Sequence, residues 1–290
     1  MKSWCSLIAG LSLCLFVLAN PDLPRVEGDP ASEDALAKHA AEMFEKGQRA
    51  ESFLVLTRAI ESDPSNAGYY FMRGRFYALD GQHEKAIADF GQVLKLNPKA
   101  ALAFQYRGEE RFKSGRIKES IDDFDRYLEL SPADRPQHWQ RGIALYYAGR
   151  YEDGRKQFEL HQAVNPNDVE NAVWHFLCVA RSSGVEKARE SLIRIDEDRR
   201  VPMAQIYALF AGKGSVDDVI KAVNAGNPSL KEMNQRLFYA NLYIGLYYEA
   251  MGQKPLAREH ILKAAEDYTA GHYMGDVARV HANLLRKQSP

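Results

Sequence analysis

Cysteine is scarce in this sequence of 290 residues, where it occurs three times, at positions 5, 14 and 178. Cys5 and Cys14 belong to an apolar N-terminal run, so removal of that run would leave Cys178 alone. A single cysteine cannot form an internal disulfide, and stability must then come from packing. Cys178 lies in the apolar stretch "VWHFLCVAR", where a free thiol usually behaves as a small buried hydrophobe. We therefore predict a structural role for Cys178.

An excess of charge of one sign is also lacking. The chain has 38 basic and 39 acidic residues, a formal net charge of −1, and no run of five or six like charges. Such a balance argues against a nucleic-acid partner. Apolar residues make up 46% and charged residues 27%, which is typical of a soluble globular protein with one large domain or two small ones.

The usual catalytic and metal-binding motifs are missing. The sequence contains no HExxH, GxSxG, paired CxxC or GxxxxGK[ST] pattern, each of which would place reactive groups at a fixed spacing. His272 and His281 are nine residues apart and do not share a helix face at i, i+4 spacing. We therefore predict no catalytic residue, no cofactor and no metal ligand, and we predict packing roles for His138 and His175.

The N-terminal stretch "MKSWCSLIAGLSLCLFVLA", residues 1–19, combines an early lysine with an apolar run of about 15 residues. This pattern predicts a signal peptide cleaved after Ala19, followed by a flexible linker at 20–32, and so an exported protein that is periplasmic or secreted. An uncleaved signal anchor is the alternative, and it is the one route to a membrane that the sequence offers. Cys14 follows Leu13 rather than a small residue, which argues against lipid attachment at Cys14.

Proline and glycine recur with a common period. Proline occurs at positions 64, 98, 132 and 166, and glycine at 47, 81, 115 and 149, each in steps of 34 residues. This period is typical of stacked helical hairpins. The sequence therefore predicts an all-α, right-handed solenoid of antiparallel helix hairpins, with four repeats in residues 33–168.

The repeated residue types suggest how the helices pack. We expect the turn glycines to end each first helix in a left-handed conformation. A second set of glycines lies mid-helix, where glycine costs ~1 kcal/mol relative to alanine, so a close helix contact must compensate. These mid-helix glycines are Gly74, Gly108 and Gly142. Small residues and phenylalanines of the second helix are expected opposite them: Ala86, Ser120, Gly154, Phe90, Phe124 and Phe158.

This pattern resembles the tetratricopeptide repeat, closely over residues 67–168 and less closely over 33–66. Arginine precedes each mid-helix glycine, and Asp89 and Asp123 follow the first two arginines by 16 residues. We therefore predict half-buried pairs between Arg73 and Asp89 and between Arg107 and Asp123. Gln157 stands at the matching place for Arg141, so Arg141 is expected to need another partner, with Asp123 of the preceding repeat as the candidate.

The period loosens after Asp168. Residues 169–236 are predicted to form irregular helical hairpins. Their first hairpin is expected to carry Ala188 and Leu192 on its second helix, and two short helices follow at about 203–211 and 216–224. The spacing returns in 237–271, a restored repeat, and 272–287 is predicted to be an amphipathic helix that caps the array.

The order of these segments indicates a more specific family resemblance. Four repeats, "RGIALYYAGR", a "NPND" turn before a tryptophan-bearing helix, an irregular pair and "LYIGLYYEAMGQ" together resemble the NlpI-type envelope proteins over roughly residues 33–285. The resemblance implies a non-enzymatic homodimer that scaffolds peptidoglycan hydrolases and presents substrates to a periplasmic processing protease. The sequence lacks that family's lipobox cysteine, which argues against its lipid anchor.

A groove is expected where the first helices of stacked hairpins face inward, at the fifth, ninth and twelfth positions of each repeat. Aromatic residues there suit an extended or helical peptide. We predict a partner-binding groove formed by Phe71, Arg75, Gln105, Glu109, Phe112, Trp139, Ile143 and Tyr146. The alternative is that these aromatic residues pack against a neighbouring segment or a dimer partner.

The sequence thus favours an exported adaptor or scaffold without a reaction of its own, which binds other proteins or peptides. Two alternatives remain. One is an enzyme, or the regulatory subunit of an enzyme, whose site lies in the irregular region 169–235 and involves Cys178 or His175. The other is a purely structural dimer in which the groove is covered.

Overall fold

The computed structural model describes residues 30–268 and 270–287, with side chains from residue 35 onward, and within these ranges it is helical with no strand. The predicted all-α fold is confirmed. The first helices are α1 (Pro30–Glu45), α2 (Arg49–Ser62), α3 (Ala67–Leu79), α4 (His83–Leu96), α5 (Ala101–Lys113) and α6 (Ile117–Leu130). The predicted signal peptide and the linker up to residue 29 lie outside the described residues, and α1 already includes the end of the predicted linker.

A 3-10 helix, Pro132–Gln137, leads into the second half of the chain. The helices that follow are α7 (Trp139–Tyr147), α8 (Tyr151–Gln162), α9 (Val169–Ser183), α10 (Val185–Glu190), α11 (Met203–Phe210), α12 (Val216–Val223), α13 (Leu230–Ala250), α14 (Lys254–Glu266) and α15 (Tyr273–Lys287). The chain divides into two compact units. The first comprises the described residues up to Ser114 together with Asp122–Leu130; the second comprises Gly115–Ile121 and the described residues from Ser131 onward.

The turn glycines end the first helix of each hairpin as predicted. Gly47, Gly81, Gly115 and Gly149 have φ values of +79°, +72°, +76° and +74°. Only glycine adopts this left-handed conformation without a steric cost from Cβ. The chain therefore reverses within a few residues, and consecutive helices pack side by side.

The mid-helix glycines lie directly against phenylalanine rings. A Cβ placed on Gly74 would lie 3.0 Å from Cε1 of Phe90, and one on Gly108 would lie 2.7 Å from Cε1 of Phe124. In the second unit, a Cβ on Gly142 would lie 2.7 Å from Cζ of Phe158. These phenylalanines are almost fully buried. The close contact that compensates for glycine in a helix is therefore a ring of the partner helix.

Two predicted ion pairs are confirmed in the first unit. Arg73 donates from Nε and Nη2 to the two carboxylate oxygens of Asp89, both at 2.8 Å. Arg107 binds Asp123 in the same bidentate way, at 2.9 and 2.7 Å. In the second unit, Arg141 does contact Gln157, with Nη1 3.4 Å from Oε1. Gln157 therefore takes the place of the aspartate at this position, because an amide oxygen also accepts a hydrogen bond; the expectation of a further partner for Arg141 stays a prediction.

The irregular region departs from the prediction in one place. Helix α10 ends at Glu190, so Leu192 lies outside the helix on which it was expected. The Ser191 hydroxyl donates to the Lys187 carbonyl at 2.8 Å, a side-chain bond that competes with continuation of the helix. The later helices α11 and α12 lie within a residue of their predicted ends, and Ser215 caps α12 in a capping box with Asp218.

The last three helices complete the second unit. Helix α13 begins at Leu230, before the predicted start of the restored repeat, and packs Gly245 against Ile261 of α14 as in the regular hairpins. Helix α15 buries Val277, Val280 and Ala282, which is the apolar face expected of a capping helix. The described helices include none with the length and apolarity required to cross a lipid bilayer.

Candidate functional site

A cavity of about 300 Å³ lies within the second unit. Helices α7, α8, α9 and α13 form its walls together with the residues at the start of α15. Its lining consists of Trp139, Ile143, Phe158, His161, Asp168, Glu170, Asn171, Trp174, Tyr239, His272, Tyr273 and Met274. The cavity therefore combines large aromatic side chains with two carboxylates.

Aromatic side chains from three helices form one part of the cavity wall. Trp139, the first residue of α7, meets Tyr273, the first residue of α15, edge to face, with ring centroids 5.1 Å apart and an interplanar angle of 88°. Trp174 of α9 is almost fully buried. Both Trp139 and Tyr273 retain part of their surface in solvent, which places the mouth of the cavity beside them.

Local hydrogen bonds fix the positions from which these rings project. His138 caps α7, because its Nδ1 accepts from the backbone N–H of Arg141 at 3.2 Å. This cap fixes the first turn of α7, on which Trp139 lies. On α13, Tyr239 stacks on His272 with centroids 5.6 Å apart and an interplanar angle of 17°, so its ring face is covered.

The carboxylates come from the beginning of α9. Asp168 caps this helix by accepting from the backbone N–H of Glu170 at 3.1 Å. The guanidinium of Arg200 spans both side chains, with Nη2 2.7 Å from Oδ1 of Asp168 and Nη1 2.5 Å from Oε1 of Glu170. Asp198 accepts from the same guanidinium at 2.6 Å, and Tyr243 donates to Oε2 of Glu170 at 2.6 Å.

This cluster retains an excess of negative charge when its groups are ionised. Three carboxylates, those of Asp168, Glu170 and Asp198, face one guanidinium, so two negative charges are not neutralised within it. Burial raises the pKa of Glu170, because desolvation disfavours the charged form. Burial would also raise the pKa of Asp198, but the hydrogen bonds from Arg200 outweigh it and lower that pKa below its ordinary value.

Two residues of the cavity wall carry buried polar atoms without a hydrogen-bond partner among the described residues. They are Nε1 of Trp174 and Oδ1 of Asn171. The amide nitrogen of Asn171 is satisfied by the carbonyl of Phe158 at 3.1 Å. Unsatisfied buried polar atoms are uncommon in native proteins and often mark a place that another molecule completes.

The predicted groove residues of the first unit have divided roles. Phe71 and Phe112 are buried, and Phe71 packs edge-on against Phe90 with centroids 5.7 Å apart. The guanidinium of Arg75 lies 3.7 Å from the ring centroid of Tyr106, and Gln105 donates to Glu109 at 2.8 Å. Burial raises the pKa of Glu109.

In the second unit, two of the three predicted groove residues meet at the cavity. Trp139 and Ile143 line it, although Ile143 is almost fully buried. Tyr146 packs away in the core instead, edge-on against Trp174 with centroids 5.4 Å apart. The aromatic character expected of the groove is thus concentrated around Trp139.

The prediction missed most of the cavity. Asp168 and Glu170 precede or begin α9, outside the inward-facing positions of the regular repeats, and they were not considered. Tyr239, His272 and Tyr273 lie about a hundred or more residues after Trp139, and no sequence period connects them to it. The usable signal was local: the segment "GHYMGD" places two aromatic rings at the start of a predicted helix.

The residues proposed for a rival enzymatic site are buried. Cys178 is fully buried, and burial raises the pKa of its thiol well above the ordinary value. Because the thiolate is the reactive form, this cysteine is unreactive near neutral pH. His175 is also buried, and burial lowers its pKa. Over the described ranges, no three or more His, Cys, Asp or Glu side chains are grouped so that they could hold a metal ion.

Part of the chain matches known repeat families. Two tetratricopeptide repeat family models match, one over residues 55–88 and the other over residues 80–135. The chain matches no curated protein sequence.

Solved structures share the fold at low sequence identity. A tetratricopeptide repeat protein from Parabacteroides merdae is 15% identical, with a TM-score of 0.58, over 88% of this chain and 99% of that one. The C-terminal part of a repeat protein from Cytophaga hutchinsonii is 16% identical, with a TM-score of 0.51, over 83% and 98%. A MamA structure is 14% identical, with a TM-score of 0.52, over 68% and 96%. Residues 55–135 therefore match tetratricopeptide repeat models, and the chain shares the all-helical repeat fold of these structures.

Proposed function

We propose that this protein is an adaptor that holds a segment of a partner protein at the cavity of its second unit and has no reaction of its own. Tetratricopeptide repeats support a role in protein–protein interaction. The observation that carries the proposal is the cavity itself, with Trp139, Trp174 and Tyr273 around a volume of about 300 Å³.

The size and lining of the cavity suit one or two side chains of a partner. Ligand pockets in proteins span about 300–1,000 Å³, so this one is at the small end and could not enclose a folded element. Rigid aromatic side chains bury much area with little loss of entropy, and they dominate binding energy at interfaces. A partner segment that packs a side chain into the cavity against Trp139 and Tyr273 would use both properties.

Capture of partners tests this proposal. We expect wild-type protein to retain a set of proteins from an extract of its host, and the Tyr273→Ala variant to lose those bound at the cavity. Tyr248→Ala is the matched control, because Tyr248 is also a partly exposed tyrosine of the second unit but does not line the cavity. Identical partner sets for all three proteins would refute the proposal.

The NlpI-type resemblance extends the proposal to location and partners. On this view the protein is exported, after cleavage behind Ala19, and its partners are peptidoglycan hydrolases or a periplasmic processing protease. N-terminal sequencing of protein recovered from the host should then begin at Asn20. A mature protein that begins at Met1 would favour an uncleaved anchor or a protein that is not exported.

The same resemblance proposes a homodimer. Light scattering of the purified protein should give about twice the monomer mass. A mass of one protomer at all concentrations up to the micromolar range would remove the dimer from the proposal, but it would leave the adaptor role intact.

A further inference from the structure

The chemistry of the cavity wall favours one charge type. The face of an aromatic ring carries partial negative charge and attracts a cation within about 6 Å, most strongly when the ring is that of tryptophan. Trp139 and Tyr273 pack edge to face at 88°, and both line the cavity. Trp174 adds a second indole to the same cavity.

The carboxylates of the cavity wall also favour a positively charged ligand. The side chains of Asp168 and Glu170 are 20% and 14% exposed, so both are partly desolvated and less screened than surface groups. When ionised, these two carboxylates and that of Asp198 exceed the single Arg200 by two negative charges. A carboxylate has about four acceptor sites, and Glu170 uses two of them, one for Arg200 and one for Tyr243. Glu170 can therefore accept a hydrogen bond from a further donor.

The position of Arg200 discriminates between cationic ligands. Its two Nη atoms already bind Asp168 and Glu170 in the planar, forked arrangement that a guanidinium prefers. A second guanidinium would need the same pair of acceptors. An ammonium group is compact and directs its three donors independently, so it can use the remaining acceptor sites one at a time.

We propose that the cavity binds the ammonium end of a lysine side chain presented by a partner polypeptide. In this arrangement the ammonium group lies against the aromatic rings that line the cavity and donates to Glu170 or Asp168. The methylene groups of the same lysine pack against Ile143 and Met274, which line the cavity. The inference rests on the proposed function, because it takes the ligand to be part of another protein.

The tryptophans provide a direct measurement on the full chain. The sequence contains three tryptophans, at positions 4, 139 and 174, and the last two line the cavity. We would titrate the protein with the blocked tripeptide acetyl-Gly-Lys-Gly-amide and follow tryptophan fluorescence. The matched probes are the norleucine tripeptide, which lacks the ammonium group, the arginine tripeptide and free butylammonium.

The expected result is a saturable fluorescence change with the lysine peptide. It should bind at least about tenfold more tightly than the norleucine peptide, as one charge-assisted hydrogen bond would give, and more tightly than the arginine peptide. Equal affinity for lysine and norleucine peptides would overturn the inference. Tighter binding of butylammonium than of the lysine peptide would overturn the claim that the ammonium group belongs to a polypeptide, and it would indicate a site for a free amine.

Two isosteric substitutions test the carboxylates. We expect the Asp168→Asn, Glu170→Gln double variant to lose the preference for lysine over norleucine. Asparagine caps a helix as well as aspartate, and an amide oxygen can still accept from Tyr243, so the cavity keeps its shape. Asp217→Asn is the control, since this exposed carboxylate lies outside the cavity.

Circular dichroism on each variant shows whether it folds. If the double variant does not fold, the comparison of probes on the wild-type protein still decides the question. Partner capture that depends on Tyr273 without any preference for lysine would refute this inference and leave the proposed function standing. Capture independent of Tyr273 would refute the proposed function instead.

Discussion

At the scale of single residues, the repeat depends on glycines that leave room for a ring. The ring of Phe158 occupies the space where Gly142 would carry Cβ, with three ring atoms at 2.7, 2.9 and 3.1 Å from that position. Phe158 is 1% exposed, so a Cβ at position 142 could be accommodated only if this ring shifted toward the cavity that it also lines. Glycine in a helix costs ~1 kcal/mol relative to alanine, but only a residue without Cβ leaves room for this ring.

Substitution of this glycine should therefore destabilise the protein. Alanine at 142 gains ~1 kcal/mol in helix propensity but overpacks the contact, which typically costs about 1–3 kcal/mol. We expect Gly142→Ala to lower the free energy of unfolding by up to about 2 kcal/mol, measured by urea denaturation. Gly91→Ala is the control and should raise it, because Gly91 is also within a helix but a Cβ there meets nothing closer than 3.8 Å. Stabilisation by both substitutions would contradict the packing account.

One buried histidine, His281, predicts how the free energy of unfolding depends on pH. His281 is buried, and burial lowers its pKa. Tyr147 lies at its Nδ1 at 3.1 Å and Glu249 at its Nε2 at 3.4 Å, while Arg181 contributes a further lowering. The folded state thus holds this ring neutral at neutral pH.

The sign of the effect follows from proton linkage. Below the ordinary pKa of about 6.5, the unfolded chain binds a proton that the folded chain does not. Stability is therefore complete above about pH 7 and falls as the pH decreases, by up to ~1.4 kcal/mol per pH unit for this group. We expect His281→Gln to flatten the fall in the free energy of unfolding between pH 7.5 and 5.5. His39→Gln, at an exposed position, should leave the slope unchanged, and equal slopes for all three proteins would contradict the assignment.

At the scale of helices, one arginine joins neighbouring hairpins. Arg73 of α3 donates to Asp89 of α4 through two bonds and to the hydroxyl of Thr57 of α2 at 2.9 Å. Arginine and aspartate side chains are 16% and 7% exposed. Such a pair fixes the relative position of the helices more than it adds stability, and removing one partner leaves a desolvated charge.

This arrangement predicts strong coupling between the two substitutions. Asp89→Leu alone should lower the free energy of unfolding by about 3 kcal/mol, the lower end of the range for breaking a buried pair. The double variant Arg73→Met, Asp89→Leu should recover most of that loss, as a double-mutant cycle by urea denaturation would reveal. The exposed pair Arg126 and Glu129 provides the comparison, since Glu129→Ala should change stability by less than ~0.5 kcal/mol. Additive effects of the Arg73 and Asp89 substitutions would contradict the account.

The helices that could be predicted were those with a local cause. The turn at Gly81 and the bond between Arg73 and Asp89 each follow from residue types at a fixed spacing within one hairpin. The end of α10 has one local cause, the bond from the Ser191 hydroxyl to the Lys187 carbonyl, but serine is also compatible with a helix that continues, so this end could not be predicted from the sequence. After Glu190 the chain leads to Arg200, which binds Asp168 and Glu170 at the beginning of α9. This contact depends on the tertiary fold rather than on helix propensity.

At the scale of the whole molecule, the candidate site is made of segments distant in sequence. Trp139 was predicted because it occupies an inward-facing position of its repeat, and the structure places it at the cavity. Its partner Tyr273 begins α15 and Glu170 lies in the first turn of α9. Neither follows the 34-residue period, so the repeat pattern has no information about them. The repeat pattern in the sequence predicts the regular helix hairpins well. It predicts poorly the segments where the repeat is interrupted, and in this protein those segments form most of the cavity.

Photo-crosslinking from inside the cavity tests the central claim most directly. The photoreactive residue p-benzoylphenylalanine would replace Tyr273 in one variant and Tyr248 in the other, and both would be irradiated in cells that contain the partners. A partner held at the cavity predicts a crosslinked product of discrete mass from position 273 and none from position 248. The same products from both positions, or none from position 273 in a folded protein, would contradict the claim.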